Sequence, residues 1–296
     1  MGSSLTEIAK IRPPFGDIYE KAAVAALRVS TIGFRMPAMK HRGQHFVVTG
    51  AGSGIGRAIA LRLAADGASL SLFGRRTGPL RETEQLAVAA GAPDPFVVSC
   101  DVSDRQAISH AVAQAAIANG PLRGLIANAG VGGTNKPGED DRWDELLGTN
   151  LSGTYYSFRA AAEHFVSGKE ARHLIAISSI LGRIGVPHYT GYCASKTGIL
   201  GLVRALAAEL AGDNVQVNAI CPGWVDTEMA WDGIEGMAKG MQVSKDEAYA
   251  AAMSAVPMGR MSKPEDVAGL VSWLASSESR GVTGQGLDMN GGAYMI

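Results

Sequence analysis

The run Phe46-Val47-Val48-Thr49 passes directly into Gly50-Ala51-Gly52-Ser53-Gly54-Ile55-Gly56-Arg57, and helical periodicity continues over 55–65 until Gly67 stops it. A short, continuous apolar run suits a strand covered on both faces, and such strands belong to parallel sheets flanked by helices. Glycines in the turn let the backbone approach a ligand, and the first N–H groups of the helix stand open to an anion at the positive end of its dipole. The spacing is GxxxGxG, carried by Gly50, Gly54 and Gly56. GxGxxG does not fit, because the sixth position is Ile55 counted from Gly50 and Arg57 counted from Gly52. Gly50, Ser53, Gly54, Ile55 and Gly56 are therefore candidate contacts to a pyrophosphate, against the plainer reading of a tight turn with no ligand.

The rest of the chain repeats this beat. Strand-like runs fall at 70–73, 96–98, 122–127, 174–177, 215–220 and 286–289, separated by helical stretches at 79–90, 105–118, 143–165, 189–210 and 265–275. Parallel strands joined by such helices cross over with one hand and bury the sheet between two helical layers. The fold class this predicts is α/β, a single doubly wound parallel sheet of about seven strands with helices on both faces. A chain of 296 residues holds such a sheet as one domain.

Charge is balanced, 27 basic against 28 acidic side chains, so neither nucleic acid nor an anionic membrane is expected as partner. No apolar run approaches the roughly 18 residues of a membrane span. Cys100, Cys193 and Cys221 are too scattered for a disulfide framework and fit a reducing, cytoplasmic setting. The histidines form no HxxxH or HExxH pair, so no metal is expected. Residues 1–43 differ from the rest of the chain, with seven basic against three acidic side chains, Pro13-Pro14 and a helix-compatible stretch at 17–29. Carrying Glu7, Asp17 and Glu20 and no apolar core, they do not read as a secretory or transit peptide. A surface arm or oligomer contact is expected there, ahead of a domain at 44–296.

Two further stretches carry chemistry. The second strand ends Phe73-Gly74-Arg75-Arg76. An acidic residue there would hold ribose hydroxyls, whereas an arginine clamps a 2′-phosphate bidentately. Arg75, with Arg76, favours NADP(H); NAD(H) stays open, since two arginines at a strand end also suit a solvated edge. Tyr192 and Lys196 lie four apart in a helical stretch, which puts an ammonium and a phenol on one face. A tyrosine acting as acid or base near neutrality needs its anion favoured by about three pH units, roughly 4 kcal/mol, and a close cation helps supply that.

Taken in order, Thr49 to Gly56 as TGxxxGxG, Cys100-Asp101-Val102, Asn128-Ala129-Gly130, Asn150, Ser179, and Tyr192 with Lys196 as YxxxK resemble the short-chain dehydrogenases/reductases from about residue 44 onward. The resemblance implies a Rossmann-type fold and an NAD(P)(H)-dependent oxidoreductase interconverting a ketone and a secondary alcohol. It implies Tyr192 as general acid/base and Ser179 as hydrogen-bond partner of the same oxygen. Ser179, rather than Ser178, stands thirteen residues before Tyr192, the family's spacing. Lys196 is implied to lower the Tyr192 pKa and hold the nicotinamide ribose, and Asn150 to hold a relay water through its backbone. Further implied cofactor contacts are Asp101, Val102, Asn128, Ala129 and Gly130. Pro222, Gly223, Val225 and Thr227 join them, from a segment similar to the family's PGxVxT.

Ile180, Leu181, His188, Trp224 and Met229 are the implied substrate contacts. Residues 228–258, rich in methionine, fall where the family carries a mobile lid; a core or subunit contact is the equal alternative. The lid is similar to those of 3-oxoacyl and polyketide ketoreductases and 3-hydroxybutyrate-type dehydrogenases, so a 3-oxoacyl or related carbonyl substrate is expected. One alternative is a catabolic or hydroxysteroid-type alcohol dehydrogenase using NAD. Another is a non-catalytic dinucleotide-binding sensor or partner subunit, which the joint presence of Asn150, Ser179, Tyr192 and Lys196 speaks against. By the same resemblance the helices of Asn150 and Tyr192 pair across a two-fold axis, giving a homodimer or homotetramer.

Overall fold

A computed structural model describes residues 39–295; the expected helix at 17–29 and the first 38 residues of the arm lie outside the described residues. The strands are β1 (His45–Thr49), β2 (Ser69–Gly74), β3 (Phe96–Ser99), β4 (Gly124–Ala127), β5 (Arg172–Ile177), β6 (Val215–Pro222) and β7 (Gly286–Met289). The helices of the first half are α1 (Gly54–Ala65), α2 (Thr77–Ala90), α3 (Arg105–Asn119), α4 (Trp143–Leu147) and α5 (Gly153–Ala162). Those of the second are α6 (Thr190–Leu210), α7 (Glu228–Met241), α8 (Lys245–Ser254) and α9 (Pro264–Leu274). All strand pairs are parallel, in the order β3-β2-β1-β4-β5-β6-β7. The winding reverses between β1 and β4, and in such sheets that switch point opens a crevice beyond the carboxyl ends of the strands. The glycine turn after β1 and the segment after β4 meet there.

The centres of β1 and β5 read as unbroken apolar runs because both faces are covered. In β1, Phe46 and Val48 face one helical layer and Val47 the other; in β5, Ile175 and Ile177 face the first layer, Leu174 and Ala176 the second. Ile59 and Leu63 of α1, Leu80 of α2, and Val267 and Val271 of α9 fill the first layer. Ile108 and Val112 of α3, Phe158 of α5, and Ile199 and Val203 of α6 fill the second. Each such side chain, fully buried, stabilises the fold by roughly 1.5–3 kcal/mol. A third, small core of Ala230, Ile234, Ala238, Ala248, Met253 and Val256 holds α7 to α8.

One of the expected helices is broken in the structure, and α7 and α8 are helices where the sequence reading placed none. The stretch 143–165 is not continuous: a π-helical turn, Gly148–Ser152, separates α4 from α5, and Phe165 instead bridges Leu122. The widened turn places the buried Asn150 side chain within reach of Val131 and Ser195. The last residues assigned to the arm, 39–43, pack on the sheet's helices. The His41 N–H donates to Asp66 O at 2.8 Å, and its buried ring lies 3.2 Å from Ser272 O.

His173 sits buried at the start of β5 with its Nδ1 unpartnered. Burial, then the charges of Arg123 and His41, push its imidazole down to about 3. The folded state thus binds fewer protons than the unfolded one between pH 6.5 and 3, so stability falls as pH drops through that window. The contribution is on the order of 5 kcal/mol across the whole window. Denaturant midpoints at about pH 7 and about pH 4.5 are expected to diverge more in the parent protein than in His173→Gln; equal acid sensitivity in both contradicts the assignment.

Candidate active site

Thr49 closes β1, and its hydroxyl accepts from the N–H groups of Asn128 at 3.1 Å and Ala129 at 3.0 Å. The Asn128 amide donates to the carbonyls of Thr49 and Gly50 at 3.1 and 3.2 Å. Asn128, a cofactor contact by resemblance, is through its side chain a fixture of the turn. Gly50 has φ +65°, and a Cβ there would lie 2.8 Å from Ala129 Cα; at Gly56 it would lie 2.1 Å from Gly50 O. Ser53 stands exposed at the start of α1 in extended backbone, its hydroxyl capping no N–H. That hydroxyl and the first-turn N–H groups form an open cradle that fits phosphate oxygens.

Arg75 and Arg76 are exposed beyond β2, and neither forms an ion pair among the described residues. Asp101 accepts from the Ser103 N–H at 2.9 Å and the Ser103 hydroxyl at 2.7 Å. The bonds from Ser103, and then the charge of Arg75, hold its carboxyl below the usual range. Val102 is buried against Gly153, where a Cβ would come within 2.7 Å of Val102 Cγ2.

Beyond β5 the two serines separate by role. The Ser178 hydroxyl donates to Lys196 O at 2.9 Å and fastens β5 to α6. The Ser179 hydroxyl accepts from the Leu181 N–H at 3.1 Å and faces the Tyr192 phenol. Burial pushes that phenol up, and Ser179 pulls it back. Lys196 stands over the ring of that phenol. Its ammonium donates to Ile177 O at 2.9 Å and lies 5.6 Å from the Tyr192 ring centroid. Burial pushes Lys196 itself down to about 8.

Asn150 uses its whole side chain. Its amide donates to Val131 O at 3.0 Å and Ser195 Oγ at 3.1 Å, and its oxygen accepts from the Val131 N–H at 2.9 Å. The Asn150 carbonyl accepts from Thr154 Oγ1 at 2.7 Å. A Cβ on Gly130 would lie 3.0 Å from Asn150 Oδ1 and 3.6 Å from Lys196 Nζ, so the segment after β4 lies against both residues.

Two supports were not legible in the sequence. Ser195, fully buried, donates to Tyr192 O at 2.9 Å and joins α6 to Asn150. Asn135 caps α6 from far along the chain, accepting from the Gly191 N–H at 2.9 Å and the Thr190 hydroxyl at 3.1 Å. The only signal for Ser195 is a polar residue inside an apolar helix; Asn135 has none, because the cap is not local.

The segment after β6 brings α7 to the glycine turn. Pro222 ends β6, the Gly223 N–H donates to Met289 O at 3.0 Å, and Val225 is buried. Thr227 starts α7, and a Cβ on Gly54 would lie 3.2 Å from Thr227 Cγ2. Met229, half exposed, covers the β4 side: a Cβ on Gly132 would meet its sulfur at 3.0 Å. Met253 is part of the small core of α7 and α8. Trp224 packs toward Gly233 in the small core of α7 and α8. Ile180 and Leu181 are half-buried behind Ser179, and His188 is exposed in left-handed backbone at φ +66°.

The chain belongs to the short-chain dehydrogenase/reductase family: a family model described as enoyl-(acyl carrier protein) reductase matches residues 50–294. It is an oxidoreductase with a single Rossmann-type sheet. The 3-oxoacyl-acyl-carrier-protein reductase FabG of Thermotoga maritima is 33% identical over 261 residues, 86% of this chain and 99% of that protein. The (3R)-3-hydroxyacyl-CoA dehydrogenase of Mus musculus is 34% identical over 259 residues, 84% of this chain and 95% of that one. A point variant of actinorhodin polyketide ketoreductase, solved with NADPH, superposes with a TM-score of 0.79 at 32% identity, covering 87% of this chain and 99% of that chain. Among the described residues no helix is long and apolar enough to cross a membrane.

Proposed function

We propose that this chain reduces the ketone of a 3-oxoacyl thioester or related compound to a secondary alcohol, preferring NADPH to NADH. The observation that carries the reading is the meeting of Ser179, Tyr192 and Lys196 at the end of β5, beside the glycine turn. The nicotinamide supplies the hydride when bound. Burial keeps the Tyr192 phenol protonated, the form that gives its proton to a carbonyl oxygen. Ser179, accepting from the Leu181 N–H, keeps its own proton for the same oxygen and stabilises the charge that develops there. Lys196 uses one of its three protons on Ile177 O, which leaves two for ribose hydroxyls and for the phenolate left after proton transfer. The relay water that the resemblance implies would sit on the Asn150 carbonyl, which Thr154 Oγ1 also reaches.

Two relatives support the substrate class, because their names share an acyl thioester oxygenated at carbon 3. NADPH is supported by Arg75, exposed and without an ion pair among the described residues, and by the nucleotide in the ketoreductase structure. Initial rates with NADPH and NADH against 3-oxoacyl thioesters, cyclic and aryl ketones, steroid ketones and an enoyl thioester test the reading. Turnover of the 3-oxoacyl group with NADPH is expected; turnover of the enoyl thioester alone would reassign the reaction to a carbon–carbon double bond. Arg75→Ala is expected to raise the KM for NADPH ten- to a hundredfold, the scale of one lost bidentate phosphate contact of about 1.5–3 kcal/mol. The KM for NADH should change less than about twofold, since it lacks that phosphate. Equal losses for both remove the clamp.

A further inference from the structure

The carbonyls of the glycine turn are tied to α2 by two side chains the mechanism leaves unused. Arg57 Nη2 donates to Gly52 O at 2.7 Å, and Arg57 Nε donates to Thr83 Oγ1 at 3.0 Å. Thr83 is fully buried, and its hydroxyl oxygen lies 3.0 Å from both Ala51 O and Pro79 O, which share its one proton. The same guanidinium reaches Pro79 O at 3.4 Å and Glu82 Oε2 at 2.9 Å. The start of α2 lies directly on the turn, since a Cβ on Gly52 would meet Pro79 Cβ at 3.1 Å.

A trans peptide is planar, with its C=O and the following N–H pointing in opposite directions. Holding Ala51 O and Gly52 O toward α2 therefore aims the N–H groups of Gly52 and Ser53 the other way, into the cradle at the start of α1. We propose that Arg57 and Thr83 are positioning residues for the dinucleotide, setting affinity for the pyrophosphate that NADPH and NADH share. The inference rests on the reading of the turn as the dinucleotide site. It separates two kinds of arginine: Arg75 discriminates between the nucleotides, whereas Arg57 acts equally on both.

The test is isothermal titration of the full chain with NADPH and with NADH, alongside steady-state KM and kcat. Thr83→Val keeps the volume and removes the hydroxyl, and Arg57→Lys keeps the charge and removes the fork. Each is expected to raise both dissociation constants together, by about tenfold, with KM rising more than kcat falls. Thr83→Ser restores both to within about twofold, and Glu82→Gln, which breaks only an exposed ion pair, leaves them there. Unchanged affinities in folded Thr83→Val and Arg57→Lys overturn the inference, as does a loss confined to NADPH. If Thr83→Val does not fold, Arg57→Lys decides alone. Parent protein that binds neither nucleotide overturns the reading of the turn itself, an outcome distinct from parent-like binding by the variants.

Discussion

Gly56→Ala is expected to abolish nucleotide binding, raising the dissociation constant more than a hundredfold, with a melting temperature lower by several degrees. The added Cβ would lie 2.1 Å from Gly50 O and 2.5 Å from Asn128 Nδ2. Neither atom is a flexible tip: one is backbone, and the other is held by the carbonyls of Thr49 and Gly50. Relief requires Gly50 to move, and Gly50 already lies against Ala129. The turn must part from the β4 segment, which distorts the cradle at α1 and costs about 1–3 kcal/mol of stability through overpacking. Gly185→Ala is the matched control, since nothing lies within 4 Å of its Cβ position. Titration and thermal melts check both; parent-like affinity in Gly56→Ala would show that the turn is not the binding element.

Tyr192→Phe carries the second large effect. Removing a proton donor positioned in the transition state lowers turnover by roughly 10²–10⁴-fold. The ring itself packs edge-on to Tyr189 at 6.5 Å between centroids, a contact the phenylalanine retains. Lys196 is held by Ile177 O and not by the phenol, so its position survives as well. NADPH affinity is therefore expected to change less than about threefold, the signature of a group acting only in the transition state. Turnover above a tenth of the parent value sinks the tyrosine mechanism.

The sheet was legible because its evidence is local and repeated. Phe46–Val48 and Leu174–Ile177 are apolar at every position, and a sheet covered on both faces requires that. The GxxxGxG turn was legible for a steric reason, since the approach of Gly56 to Gly50 O excludes any side chain. Long-range geometry was not. The π-helical turn at Asn150 depends on Val131 and Ser195, distant in sequence, and α7 and α8 close a core whose alanines and glycines gave no clean helical stripe. Chemistry was legible by residue type but not by orientation. Tyr192 and Lys196 do share a helix face, yet β5 offers the ammonium a carbonyl, and burial moves the phenol pKa upward. Trp224 shows the same limit: the resemblance implied a substrate contact there, and its packing against Gly233 and the small core was not readable.

Ketone reduction by this chain is tested most simply by a single-turnover reaction of the NADPH-loaded protein with a 3-oxoacyl thioester, following nucleotide oxidation and identifying the acyl product. The geometry of Ser179, Tyr192 and Lys196 predicts one 3-hydroxyacyl product per NADPH oxidised, with the reaction nearly lost in Tyr192→Phe. NADPH that binds tightly yet stays reduced in the presence of the thioester would contradict it.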